Sequence, residues 1–316
     1  MKKMTFFLLG SLLFAASVQA QLRGSHLLGQ VGLESATQGP PGLSLLVLPA
    51  YLYNTSEVKG DNGNVLAQNF SLNSYAAAAG LAWVFDKKVL GGKLGGSFFL
   101  PFVTNKIQSN VVNQKSSFAF TDSYLQPVQL GWHRERVDYM ASFNLYIPTG
   151  SYTAGGSNNS GLGMWGYEFS AGSTVYLDKK KRWNFAALFS YELNSKKKGS
   201  DTRVGDLLSI EGGLGRTFYK KAKGPIPVII NAGIAYYMQF KTTSDHIAVD
   251  SMVISGKNDH IYGLGPEGNI FIPAIKSLFG LRWIFETGAV DRFQGKTFIV
   301  TWVYSIKSFE HAAATH

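Results

Sequence analysis

The chain contains no cysteine, which excludes a disulfide-stapled scaffold, a thiol nucleophile and a cysteine-based metal centre. It has only ten prolines, so long stretches of backbone are free to pair in sheets. Beyond the N-terminus it also lacks any run approaching the ~18 consecutive apolar residues of a membrane-spanning helix. Yet 45% of the residues are hydrophobic and 14% aromatic. Much apolar mass without long apolar runs is what alternating strands produce, in a soluble sandwich or in a membrane barrel.

The first twenty residues are a separate matter. Lys2 and Lys3 precede an apolar run from Met4 to Ala16, and Val18-Gln19-Ala20 supplies small residues at a cleavage position. Residues 1–20 are expected to be a cleaved export signal, too short to span a bilayer. The formal charge of +10 would suit nucleic acid, but the cations cluster at turns, as in Lys179-Lys180-Lys181-Arg182 and Lys196-Lys197-Lys198. With no basic helix and no stacked aromatic platform, the expected surroundings are membrane lipids and lipopolysaccharide, and no nucleic acid.

Period-two alternation recurs along the whole chain. Trp165, Tyr167, Phe169, Ala171, Ser173, Val175 and Leu177 form one series, and Trp183, Phe185, Ala187, Phe189, Tyr191 and Leu193 the next. The pattern predicts twelve strands, near 43–55, 70–85, 93–104, 122–133, 137–148, 164–177, 183–194, 205–219, 227–241, 259–273, 278–288 and 296–307. Each has roughly the ten residues that a tilted strand needs to cross hydrocarbon. The links sort by parity: 86–92, 134–136, 178–182, 220–226 and 274–277 are short, whereas 105–121, 149–163 and 242–258 are long and polar. A soluble sandwich has no reason to sort its loops in this way. The expectation is therefore an all-β fold, a transmembrane antiparallel β-barrel of about twelve strands in an outer membrane, with short turns and both termini periplasmic. Trp132, Trp165, Trp183 and Trp302 stand near strand ends, where interfacial girdles form.

The alternate positions are polar and point to the lumen. They include Glu168, Glu192, Glu267 and Glu286 with Arg282, and the amides Asn144 and Asn231. These seven are the candidate lumen and pathway residues. Strand 205–219 is ambiguous, since Glu211 faces inward only if Leu208, Ile210 and Leu214 face lipid. Unpaired buried carboxylates are costly, so either water fills the lumen or these groups pair with one another and with Arg282. That leaves a polar pathway and a stiffening network equally open.

Certain blocks are more specific. Pro40-Pro41-Gly42 leads into a strand ending Tyr51-Leu52-Tyr53. Tyr124-Leu125-Gln126-Pro127-Val128-Gln129-Leu130-Gly131-Trp132-His133 is followed by Tyr146-Ile147-Pro148-Thr149-Gly150-Ser151-Tyr152 and by Asn159-Ser160-Gly161-Leu162-Gly163-Met164-Trp165. Gly263-Leu264-Gly265-Pro266-Glu267 lies near the end. Over residues 40–306 the chain resembles the outer-membrane "MetA-pathway of phenol degradation" family of transporters, which looks like a relative of hydrophobic-solute barrels of the fatty-acid transporter (FadL) kind. The resemblance implies passage or binding of small hydrophobic or aromatic compounds. One departure concerns the C-terminus: many outer-membrane barrels end on an aromatic assembly signal, whereas here seven residues follow Phe309.

Other chemistry has little support. The histidines are His26, before the first strand; His133, at a turn; His246 and His260, at the long loop beside Asp245, Asp250 and Asp259; and His311 and His316, in the tail. Metalloprotease and nucleophile-elbow motifs are absent, and the glycine pairs lack the lysine and serine of a phosphate loop. No enzymatic activity, cofactor or metal is expected. Segment 21–41 carries Leu22, Leu27, Leu28, Val31 and Leu33, rather apolar for a free periplasmic tail, and is expected to insert into the barrel mouth as a plug. The barrel proper is expected over 42–309, with a tail at 310–316. The leading functional reading is passive uptake of small hydrophobic solutes. A closed structural or surface-interaction barrel is the alternative, and a lipid hydrolase acting through His246 or His260 comes third.

Overall fold

The computed structural model describes residues 23–66, 69–110, 113–156, 158–221, 227–246, 248–249, 252–253 and 259–309. The expected export signal and the tail at 310–316 lie outside the described residues. Twelve long strands form the wall: β1 (Gly42–Val58), β2 (Ser71–Val89), β3 (Gly92–Gln108), β4 (Ser123–His133), β5 (Val137–Ile147), β6 (Gly166–Tyr176), β7 (Trp183–Asn194), β8 (Leu207–Lys220), β9 (Val228–Lys241), β10 (His260–Ile272), β11 (Ser277–Val290) and β12 (Phe293–Ser308). Each pairs antiparallel with its neighbour in sequence. β1 also pairs with β12, from Gly42 opposite Ser308 to Val58 opposite Phe293, and this closes the ring. Short strands Asn113–Lys115 and Ala119–Phe120 pair with the part of β3 that extends past β4, and Ala248–Val249 pairs with Met252–Val253.

The loops sort as expected, with one exception. The second, fourth, sixth, eighth and tenth links are short, whereas the odd links up to the ninth are long; the eleventh is only residues 291–292. One end of the barrel therefore carries short turns and the other long loops. In the first short turn Leu90 and Gly91 both adopt positive φ, 51° and 77°, the twist that matches a two-residue hairpin. Two of the prolines fall where pairing is interrupted. The β1 register shifts around Pro49 against both neighbours, and that of β4 shifts around Pro127. Proline has no N–H to give the ladder, so a bulge accommodates it.

The distribution of side chains is inverted relative to a soluble protein. Outward positions hold Phe169, Phe189, Leu264 and Leu281 about half exposed, whereas Glu192 and Glu211 are only 1% exposed inside the ring. Lipid asks for this arrangement: apolar side chains outside, with every backbone polar group satisfied by closure. β8 resolves in favour of Glu211 inside, since Leu214 is exposed on the outer face. The strand reads as mixed in sequence because Leu207 also faces inward and is buried. Replacing Phe189 by arginine near the middle of β7 should destabilise the lipid-inserted barrel by about 2–4 kcal/mol. The check is a denaturant midpoint measured in liposomes; an unchanged midpoint would mean that this face does not contact lipid.

Candidate functional site

The candidate site is built where residues 23–41 meet the inner wall. This segment enters at the short-turn end: the Gln38 amide donates to Lys93 O at 3.2 Å and to Gln129 Oε1 at 3.0 Å, and Thr37 Oγ1 donates to Asp138 at 3.2 Å. Farther along, Leu33 N donates to Glu267 Oε2 at 3.1 Å, and the Asn184 amide donates to Leu33 O. The other end reaches Tyr53 on β1, whose hydroxyl lies 3.4 Å from Arg23 Nη2, with the guanidinium also over the Phe293 ring at 5.3 Å. Both residues stand near the long-loop end. The segment thus runs the length of the lumen, deeper than an insertion at the mouth, because hydrogen-bonding groups of the inner wall are available all along it.

Glycine permits the close approach. A Cβ on Gly32 would meet Glu267 Oε2 at 1.8 Å and the Arg282 guanidinium at 2.8 Å. Gly29 adopts φ +81°, and its amide donates to Glu211 Oε1 while its carbonyl accepts from Arg282 Nη1.

The most constrained contact is at His26. Its Nδ1 lies 2.6 Å from Glu168 Oε2 on β6, and its Nε2 lies 2.7 Å from Glu211 Oε2 on β8. Glu192 on β7 accepts the backbone amides of Ser25 and His26 at 2.6 and 3.0 Å. The wall itself sets up the need for these donors. Glu168 and Glu192 are direct cross-strand partners, and like charges placed opposite each other are destabilising. A neutral imidazole has one donor and one acceptor, so only the imidazolium donates to both flanking carboxylates. Burial alone would depress the His26 pKa, but the Glu168 and Glu211 carboxylates outweigh it and hold the pKa well above the usual histidine value.

All seven residues singled out from the sequence can now be placed. Asn144 donates to Glu168 at 2.7 Å and accepts from Gln126 at 2.9 Å. Glu267 and Arg282, opposite each other on β10 and β11, form a two-pronged pair at 2.7 and 2.8 Å. Glu286 accepts the Tyr53 and Tyr237 hydroxyls at 2.8 and 2.7 Å. Asn231 bridges Glu34 of the segment, at 3.0 Å, and Asn184, at 3.3 Å. The pairing therefore extends beyond these groups and Arg282 to wall amides, tyrosine hydroxyls and the segment itself. Sequence reasoning places His26 before the first strand, in the segment expected to plug the mouth, but gives it no partner and no role. The available signal is an imbalance: the inward carboxylates outnumber the wall's single inward arginine, so another cation has to come from elsewhere in the chain.

Towards the long-loop end, the side of the lumen formed by β1, β2 and β12 turns apolar. Tyr51, Tyr53, Val58, Leu72, Phe293 and Ile299 form a buried cluster, against which Leu27 of the segment packs. Phe70 stacks on Phe293 with ring centroids 5.4 Å apart. A separate groove of about 300 Å³ lies on the outer wall, among Leu52, Asn54, Trp283, Lys296 and Phe298. His246 exchanges backbone hydrogen bonds with Arg203, and the His260 ring packs against Phe240 and Tyr262. Among the described residues, no group of three or more histidines and carboxylates is placed to hold a metal ion.

Comparison with known proteins fits this architecture. The COG4313 outer membrane channel from Pseudomonas putida F1 is 15% identical, with 87% of this chain and 99% of that one covered and a TM-score of 0.69. The β domain of the Bordetella autotransporter BrkA is 13% identical, with 85% of this chain and 100% of that one covered and a TM-score of 0.49. No curated protein matches. The first likeness shows a shared barrel fold, and the family described as "Putative MetA-pathway of phenol degradation" matches residues 55–302. With that match spanning β2 to β11 together with the end of β1 and the larger part of β12, the chain belongs to this family.

Proposed function

We propose that the protein is an outer-membrane channel for passive movement of small hydrophobic or aromatic compounds, with segment 21–41 acting as its plug. The observation that carries this reading is the way the segment is held. Residues 23–41 are docked in the lumen by ion pairs and hydrogen bonds to wall residues, which water can replace, with the apolar Leu27, Leu28, Val31 and Leu33 packed between these polar anchors. Twelve strands enclose a lumen between the filled interior of an eight-stranded barrel and the aqueous channel of a sixteen-stranded one. Displacement of the segment would expose a passage lined by Glu168, Glu192, Glu211 and Glu267 below the aromatic cluster of Tyr51, Tyr53 and Phe293. That cluster supports a preference for apolar solutes at the long-loop mouth. The membership of a family named for phenol degradation, and the likeness to a protein described as an outer membrane channel, support the same reading.

The docked segment favours a second reading, a closed barrel that serves as a structural or surface-interaction protein. Flux through the refolded barrel in liposomes separates the two. A small aromatic is expected to enter faster than into protein-free liposomes, with a sugar of similar size excluded. Equal passage of both would indicate a general pore, and passage of neither would favour the closed barrel.

A further inference from the structure

Charge is unevenly distributed over the barrel. At the short-turn end, residues 86–93, 134–138, 178–182, 216–221, 276 and 307 include fourteen lysines and arginines against four carboxylates. One of the four, Asp138, is buried beneath the Tyr176 hydroxyl and faces inward. The long-loop end is close to balanced, and much of its charge is internally paired: Lys241 lies 2.7 Å from Asp245 and 3.2 Å from Asp259, and Arg292 lies 3.0 Å from Asp259. In the lumen, carboxylates outnumber the two arginines. The positive excess of the described chain therefore stands almost wholly at one rim. There the ion pairs among the described residues are Lys93 with Asp86, at 3.1 Å, and His133 with Asp138, at 3.0 Å, so most of the rim cations face outward without a carboxylate.

These cations also sit at a defined height. Arg216 projects from the outer face of β8 between two aromatic rings, 5.2 Å from that of Trp183 and 5.0 Å from that of Phe218. Lys307 on β12 lies 6.0 Å from the Phe309 ring. Rings at strand ends settle at the edge of hydrocarbon, and a long basic side chain beside them reaches the headgroup layer. The basic turns are spread around the circumference, on the second, fourth, sixth, eighth and tenth links, rather than gathered on one side. An acidic protein would meet one face of such a ring, whereas a lipid leaflet meets all of it.

We propose that the short-turn rim is a binding collar for anionic phospholipids, whose phosphodiester headgroups lie against the basic turns while their chains cover the aromatic strand ends. This rests on the reading of the barrel as membrane-inserted, and the experiment tests the two separately. The full chain is refolded into vesicles of phosphatidylcholine, with and without phosphatidylglycerol, and insertion is read first as protease protection of the strands. The inserted protein is then extracted into mild detergent, and the lipid retained on it is identified by native mass spectrometry.

Phosphatidylglycerol is expected to be retained over phosphatidylcholine, by about fivefold for each basic residue that reaches the headgroups. The preference should shrink as salt is raised. Combined Lys179→Gln, Lys180→Gln, Arg182→Gln and Arg216→Gln should reduce it without affecting insertion, while Lys196→Gln with Lys198→Gln at the opposite end should leave it intact. Equal retention of both lipids by the inserted native barrel, or a preference insensitive to salt, overturns the collar; the salt series decides this even if the fourfold variant does not refold. Failure of the native chain to insert into either vesicle would instead count against the membrane reading itself.

Discussion

Deletion of residues 21–38 is expected to raise solute flux by roughly 10- to 1,000-fold, if the undocked state of the native segment is populated at about 0.1–10%. The wall does not depend on this segment for its strand pairing, because β1 begins at Gly42 and closes directly on β12. The carboxylates stripped of their donors would be hydrated by the water that replaces the segment, so the shortened chain should still fold; the mobility of the unheated protein on a denaturing gel checks this. The absence of cysteine provides the converse experiment. A Cβ on Gly166 would lie 3.1 Å from Ser25 Oγ, close enough for Ser25→Cys and Gly166→Cys to be joined by a disulfide. The oxidised pair should suppress flux and reductant should restore it. A folded deletion variant that conducts no better than the native barrel would sink the plug and leave the closed-barrel reading standing.

The second large effect concerns pH. His26 is clamped between Glu168 and Glu211, with Glu192 on its backbone amide and the Tyr146 hydroxyl 3.4 Å from Nδ1. Although burial opposes protonation, the two flanking carboxylates raise the docked pKa well above the 6.5 of a free histidine. A group whose pKa is higher docked than free contributes its stabilisation fully below the free value and loses it as pH rises through the docked value. Flux should therefore be low from about pH 6.5 down to the range where the carboxylates themselves take up protons, and increase on the alkaline side. The docking equilibrium constant falls by roughly tenfold for each pH unit traversed between the two values, until the docked pKa is passed. His26→Gln keeps hydrogen-bonding capacity but cannot titrate, so its flux should be higher than that of the native barrel at pH 6 to 7 and should lack the step. A step that survives in His26→Gln would assign the titration to another group.

How far the sequence reaches differs between wall and lumen. The wall is legible in detail: the alternation predicts a strand over 183–194 and β7 is Trp183–Asn194, and the parity of loop lengths anticipates which end carries short turns. Lipid imposes a rule on every second residue, and a rule repeated over twelve strands is readable from local pattern alone. Glu168, Glu192, Glu267, Arg282, Asn144 and Asn231 are assigned inward for the same reason, and each is buried inside the ring. β8 is less legible because Leu207 faces inward towards the segment and blurs the contrast between its two faces.

The sequence by itself determined a closed, inside-out barrel, because alternation and strand length are local properties set by the surrounding solvent. Only the tertiary structure decided what the inward charges do. Glu168 and Glu211 stand 43 positions apart in the chain, and His26 lies 142 and 185 positions from them. No local pattern links them; pairing of both β6 and β8 with β7 sets their carboxylates on one side of the lumen, and glycines at 24, 29 and 32 let the segment approach the wall. The antiparallel order of the strands gathers basic turns from five separate links at one end, and closure of β1 on β12 makes that end a rim. In both cases each charge is set by sequence, while its partner is set by the ring.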